Sequence, residues 1–228
     1  KRAKRVFDTV SPSHASPFHY LHISPAGELV VSDNYRLLRA RIDSGAFADD
    51  NPLTLVLHRV IVNDMIALLR GAKKGTVTFA RSAEAVVVSG SDKAGTPWRI
   101  VAERNQAYRY LDISSFDRGF EPVALHVPVE QFLSSARSAA LANEPKNPYI
   151  TLTFSAAKKL IVMASDSGVG RVDMPANVLR NAGGRVNHTF FDVLDGIAEI
   201  DIFIRPTAHA CFQCVGVAGA LKLKYLVM

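Results

Sequence analysis

Three histidines near the start of the chain, His14, His19 and His22, are the first side chains whose type suggests metal chemistry. A zinc site needs three or four converging ligands. His14 falls in a loop, SPSHASP, and His19 and His22 in a strand, where positions i and i+3 point to opposite faces. Cys211 and Cys214, in HACFQC, are the next candidates. Four soft ligands are missing, and an alternating strand does not easily let this pair bridge, so they read as buried thiols in a reducing compartment. SGVG at Ser167–Gly170 and AGG at Ala182–Gly184 lack the Lys-Ser/Thr of a phosphate loop and a following helix of the right length, so both read as turns. The chain has no nucleophile elbow, no paired metal carboxylates and no dinucleotide fingerprint. An enzyme needs a convergent set of groups, and these residues supply none, so neither a cofactor nor a metal is expected.

Composition sets the frame for those residues. The 228 residues allow one large domain or two of about 110. A hydrophobic content of 48% suits a packed protein. The net charge of +6 and pI of 9.4 fit an anionic partner, and equally a merely basic soluble protein. No apolar run approaches the ~20 residues of a membrane span. The opening KRAKRVF is charged but has no long apolar core, so it is no secretory signal. The chain does not begin with Met, which leaves a fragment, a processed form or missing ends equally open.

The elements that must position any site follow in order. Arg2–Val10 reads as the end of a helix, Phe18–Ile23 as a strand, and Glu28–Ser32 as its return after a Pro-Ala-Gly turn. Leu53–Val60 is strand-like. Val62–Leu69 is helical, with Asn63 as its cap and Met65, Ile66, Leu68 and Leu69 on its apolar side. Thr76–Ala80, Ala85–Gly90 and Trp98–Glu103 are strands, and Tyr108–Glu121 is read as a linker. Ala124–Val127 restarts a strand. Pro128–Asn143 is a strong helix with Val129, Phe132, Leu133, Ala136, Ala139 and Ala140 at helical spacing. Tyr149–Phe154, Leu160–Ala164 and Gly170–Met174 are strands, Asn181–Gly184 a turn and Thr189–Ile197 a short helix. Ile200–Ile204, Ala210–Val217 and Leu221–Met228 are the last strands. The stretches from Thr78 and Thr153 each follow a helix and repeat strand, polar turn, strand and Ser/Asp turn. ELVVSD at Glu28–Asp33 is a third version and Ile200–Val215 a looser fourth, an internal repeat that predicts two similar α+β domains, 1–121 and 122–228.

The stretch Val30–Arg41, VVSDNYRLLRAR, organises the chain: an apolar strand, an Asp33-Asn34 turn, then Arg36 and two leucines. On pattern alone it is a hairpin with a basic outer edge. Ser32, Asp33, Asn34, Tyr35, Arg36 and Leu37 also resemble the Ala-Thr-Asp-Gly-His/Tyr-Arg-Leu segment of the bacterial DNA polymerase III beta sliding clamp family. The resemblance extends over nearly the whole chain. Tyr20 and Leu21 stand at a Tyr-Leu pair of the family, RYLDI at Arg109–Ile113 stands for its Arg-Phe-Pro-Asp-Tyr, and Asn187–Phe190 resembles the opening of its last helix. Tyr225–Met228, YLVM, resembles its C-terminal strand. Asn34 replaces the usual Gly, Leu111 the usual Pro, and Arg118 falls near a pocket proline. The family's opening strand and its Pro-Met-Arg tail have no counterpart in these residues.

The resemblance implies an α+β fold of two DNA-clamp domains, similar to the middle and C-terminal domains of the family, each with inner helices and outer antiparallel sheets. It implies a non-catalytic processivity factor that encircles double-stranded DNA. Lys1, Arg2, Lys4, Arg5, Arg70, Lys73, Lys74 and Arg137, on or beside helices, would meet phosphates without reading sequence, with His19 and Tyr20 as loop contacts. Taken singly, each basic residue also reads as a solvated helix end. Polymerase and clamp-loader peptides would enter a cleft of Leu21, Ser32, Arg36, Leu37, Asn187, Phe190, Ala208, Ala210, Leu226, Val227 and Met228. Rings of this kind hold six domains, so a complete two-domain chain implies a trimer, with edge strands, including the one ending at Met228, pairing between subunits. The implied location is the cytoplasm, at the nucleoid, with no membrane partner. Two other readings stand beside this one: a clamp-derived accessory protein that binds polymerase or loader without encircling DNA, and a basic α+β enzyme.

Overall fold

Much of the chain alternates apolar and polar residues, and a period of two folds as antiparallel strands with one buried face. The computed structural model describes residues 2–8, 18–24, 26–33, 35–42, 55–70, 77–103, 113, 118–205, 211–218 and 221–227. Contacts divide the chain into two units, Lys1–Asn34 with Ser44–Asp112, and Tyr35–Asp43 with Ile113–Met228. The expected α+β class with antiparallel sheets is what the structure has.

In the first unit, helix α1 (Arg2–Phe7) buries Val6 and Phe7 against strand β2 (Glu28–Ser32). The Lys4 ammonium pairs with Asp8 one turn on, at 2.6 Å. Strand β1 (Tyr20–Ile23) pairs with β2 on one side and with β4 (Leu55–His58) on the other. Helix α2 (Arg59–Leu68) starts earlier than the Val62 expected, and Asn63 is not its cap. His58 is extended and its Nδ1 accepts the Val60 N–H at 3.4 Å, so the last residue of β4 caps the helix. Strands β5 (Thr78–Arg81), β6 (Ala85–Ser91) and β7 (Pro97–Glu103) form a three-stranded sheet, close to the predicted boundaries.

His58 is expected to make this unit acid-sensitive. Burial, then the neighbouring His19 and Arg59, hold its pKa below the ordinary 6.5. Tyr20 also packs edge-on against its ring, at 5.2 Å. The unfolded chain thus accepts a proton that the folded chain resists. The stability tied to neutral His58 is complete above 6.5 and is lost as pH falls from 6.5 through the depressed folded value. Urea midpoints at about pH 7.5 and 5.5 should fall further in the wild type than in His58→Asn, which can cap but cannot titrate. Equal falls would discard this role.

In the second unit, strand β3 (Arg36–Ile42) lies beside the last strand of the chain rather than counting with its sequence neighbours. Strand β8 (Glu121–Pro128) leads into helix α3 (Val129–Ala140), where the expected apolar stripe is buried from Val129 to Ala139. Strands β9 (Tyr149–Ser155), β10 (Leu160–Ser165) and β11 (Arg171–Pro175) form a meander under α3. After β12 (Asn177–Val178) comes β13 (Ala182–Asn187), paired with β9 along its length. The turns expected at Asn181–Gly184 and Ala182–Gly184 are therefore replaced by a strand. A Cβ on Gly183 would stand 2.9 Å from the Leu152 carbonyl, so its glycine serves close strand approach. The short helix expected over Thr189–Ile197 is a 3-10 helix, His188–Leu194; Asp195 turns extended and ends it early. Strands β14 (Glu199–Arg205), β15 (Cys211–Ala218) and β16 (Leu221–Val227) complete the order β12-β8-β14-β15-β16-β3. The strand expected to end as an intersubunit edge at Met228 is thus an inner one, since β16 is paired by β15 and β3.

Helix α3 is fixed at both ends. Phe132 meets Phe191 edge to face at 5.0 Å. At the other end Gly170 approaches so closely that a Cβ would lie 2.6 Å from the Ala142 Cβ. Cys211 and Cys214 are free and buried, as their strand pattern predicts. Burial pushes the Cys214 thiol up to about 12. Iodoacetamide at about pH 8 should leave Cys214 unmodified in native protein and modify it in urea, read by peptide mass. Native labelling at the denatured rate would contradict this burial.

Candidate functional site

Strands β3 and β16 run antiparallel with Arg36 opposite Val227, Leu37 opposite Leu226 and Leu38 opposite Tyr225. Opposed residues share a face, and the face alternates along a strand. Arg36, Leu38, Tyr225 and Val227 therefore share one face, and Leu37 and Leu226 the other. Four of the expected cleft residues thus sit in one ladder but on two faces.

Arg36 is 2% exposed, not on a basic outer edge as the hairpin pattern suggested. Its guanidinium lies over the ring of Phe190, 4.6 Å from the centroid. A planar cation over an aromatic face gains up to ~2 kcal/mol or more when desolvated, which is how an arginine is tolerated at such depth. The 3-10 helix that carries Phe190 is held on several sides. Asn187 caps it, its Oδ1 accepting from the Thr189 N–H at 3.0 Å and the Thr189 hydroxyl at 2.7 Å. The His188 N–H donates to the Pro148 carbonyl. Arg137 donates from α3 to Asp192 at 2.7 Å. The Tyr225 hydroxyl donates to the Phe190 carbonyl at 2.6 Å. Phe190 and Asn187 are half-buried, while Leu226 and Val227 are fully enclosed. A half-buried ring with a cation over one face can take an apolar side chain beside it.

The structure thus brings Arg36, Asn187, Phe190 and Val227 to the 3-10 helix and the strands beside it. Leu21 and Ser32 belong to the first unit and are buried there, on β1 and β2. Ala208, Ala210 and Met228 lie outside the described residues. Tyr225 was missed as a site residue. Its signals were its place in the YLVM resemblance and beside Leu226 in an alternating strand.

Of the expected DNA contacts, Arg2, Lys4 and Arg5 lie on α1, and Arg70 is exposed just beyond α2. Lys4 and Arg137 are engaged in ion pairs with Asp8 and Asp192. His19 is buried and Tyr20 packs on His58, so neither stands fully free toward solvent. Lys1, Lys73 and Lys74 lie outside the described residues, as does His14. Among the described residues, no three or more His, Cys, Asp and Glu side chains gather as a metal site. No helix among them is long and apolar enough to cross a membrane.

No family model matches the chain, and no curated protein matches it. Solved structures do. A DNA polymerase sliding clamp from Bacillus subtilis superposes with a TM-score of 0.74 at 17% identity, covering 99% of this chain and 60% of its own. A Pseudomonas aeruginosa sliding clamp, DNA polymerase III subunit beta, bound to griselimycin, gives 0.76 at 13% over 100% of this chain and 62% of its own. The beta sliding clamp of C. crescentus gives 0.75 at 16% identity, over 100% of this chain and 62% of its own. The fold is that of the bacterial clamps, as the sequence resemblance implied, and the chain spans about three fifths of the length of these clamps.

Proposed function

We propose that this chain is a DNA sliding clamp, a processivity factor that encircles duplex DNA and tethers polymerase and clamp-loader peptides at the site around Phe190. One observation carries the reading: end-to-end likeness of the chain to clamps, at TM-scores of 0.74 to 0.76. The net charge of +6 is consistent with a polyanionic partner held by sequence-independent contacts. Residues 1–121 and 122–228 are two clamp domains in this reading, and its work is topological rather than catalytic. If these two domains are the whole chain, three copies would complete a six-domain ring; the location in this reading is the cytoplasm, at the nucleoid. Leu141 and Val169, 85% and 83% exposed at one end of the second unit, suit a contact between copies.

The test is retention on DNA of two topologies. Loaded protein should stay on a nicked circle through a high-salt wash and slide off once the circle is cut, with light scattering reporting a trimer. Equal loss from circular and linear DNA would reject encirclement. Peptide binding without such retention would favour the accessory-protein reading.

A further inference from the structure

Among the described residues Tyr225 is the largest fully buried side chain, at 0% exposed. Its ring is locked in the β15-β16-β3 ladder, opposite Cys214 and Leu38. Its hydroxyl leaves that ladder and reaches the Phe190 carbonyl at 2.6 Å, the short end of the O–H···O range. A buried phenol needs such a partner, and here the partner is the backbone of the residue whose ring lies under Arg36. Arg36 and Tyr225 share a face of the same two strands, since Arg36 opposes Val227, two residues beyond Tyr225. Phe190 is thus gripped twice from one rigid ladder, at its carbonyl and at its ring.

We propose that Tyr225 is a positioning residue for the peptide site. Its hydroxyl fixes the 3-10 helix against β16, so that the Phe190 ring is set before a peptide arrives. The inference rests on the peptide-binding reading of that site. A preformed site avoids the cost of ordering a mobile ring during binding. Tyr225 acts in this role without touching the peptide: the residue its hydroxyl holds is the one that would meet the ligand.

The test is Tyr225→Phe, which deletes one oxygen and keeps the ring in the core. Hydrogen exchange is followed across residues 188–194 in the free protein, with a melting curve and a titration of a labelled short Gln- and Leu-containing peptide. Exchange in 188–194 should quicken about tenfold while β14–β16 stay unchanged, and peptide affinity should fall about tenfold. Arg36→Lys, which keeps the charge but cannot stack flat, should weaken binding in the same direction. Unchanged exchange in 188–194 would overturn the proposal. So would quickened exchange with unchanged affinity, or a uniform rise across the whole unit, which marks a merely structural role. Wild-type protein that fails to bind the peptide would instead remove the peptide-site reading, and with it this role for Tyr225; exchange would then report a structural tether alone.

Discussion

Phe190→Ala is expected to abolish binding of a short Gln- and Leu-containing polymerase-tail peptide while the second unit stays folded. Phe190 is half-buried, so its loss empties a surface site more than a core. An aromatic anchor at the centre of an interface is worth 2 kcal/mol or more on truncation, roughly a thirtyfold loss of affinity at least. The Arg36 guanidinium, 2% exposed, also loses the ring it lies on, so a modest fall in melting temperature accompanies the binding loss. Phe190→Leu separates the two effects, keeping bulk without the aromatic face; its binding should fall between wild type and alanine. Val101→Ala, on an exposed side chain of β7 in the first unit, is the control that should leave peptide binding intact. Met228 shares the expected cleft but lies outside the described residues, so Phe190 alone carries the experiment. Full affinity in folded Phe190→Ala would remove this site from the proposed function.

The largest expected effect on stability comes from Phe132→Ala. The ring is 0% exposed on the inner face of α3. It meets Phe191 at 84°, a geometry worth about 0.5–1.5 kcal/mol beyond area burial. Truncating a buried phenylalanine costs about 3–5 kcal/mol, from lost transfer energy and the cavity left behind. That is a large part of the 5–15 kcal/mol by which folded domains are usually stable. Urea unfolding followed by tryptophan-independent far-ultraviolet dichroism should show a much lower midpoint at similar slope. A loss under about 1 kcal/mol would mean that α3 does not pack on the 3-10 helix through this pair.

Local pattern determined much of this protein. The apolar spacing from Val129 to Ala139 specified α3 and its buried face, because a period near 3.6 leaves one stripe for the core. The patterns of Tyr149–Phe154 and Leu160–Ala164 specified β9 and β10 to within one residue, and Glu28–Ser32 was legible residue for residue. Short matches around Ser32–Leu37 and Tyr225–Met228 pointed to the clamp fold, which the solved structures share at 13–17% identity. Tertiary contact decided the rest. Gly183 looked like a turn because glycine is permissive anywhere, and only β9 alongside makes it a strand. His58 caps α2 because the end of β4 places its imidazole there, and no helix period reveals that. Arg36 looked like surface because a lone arginine beside a turn usually is. Its burial depends on Phe190, more than 150 residues away in the chain, and on β16 arriving beside β3. The site around Phe190 is likewise built from segments distant in the chain, and its backbone anchor is a hydroxyl on Tyr225. Periodicity reports which face of an element is apolar, whereas the partner that covers that face is chosen by the folded chain.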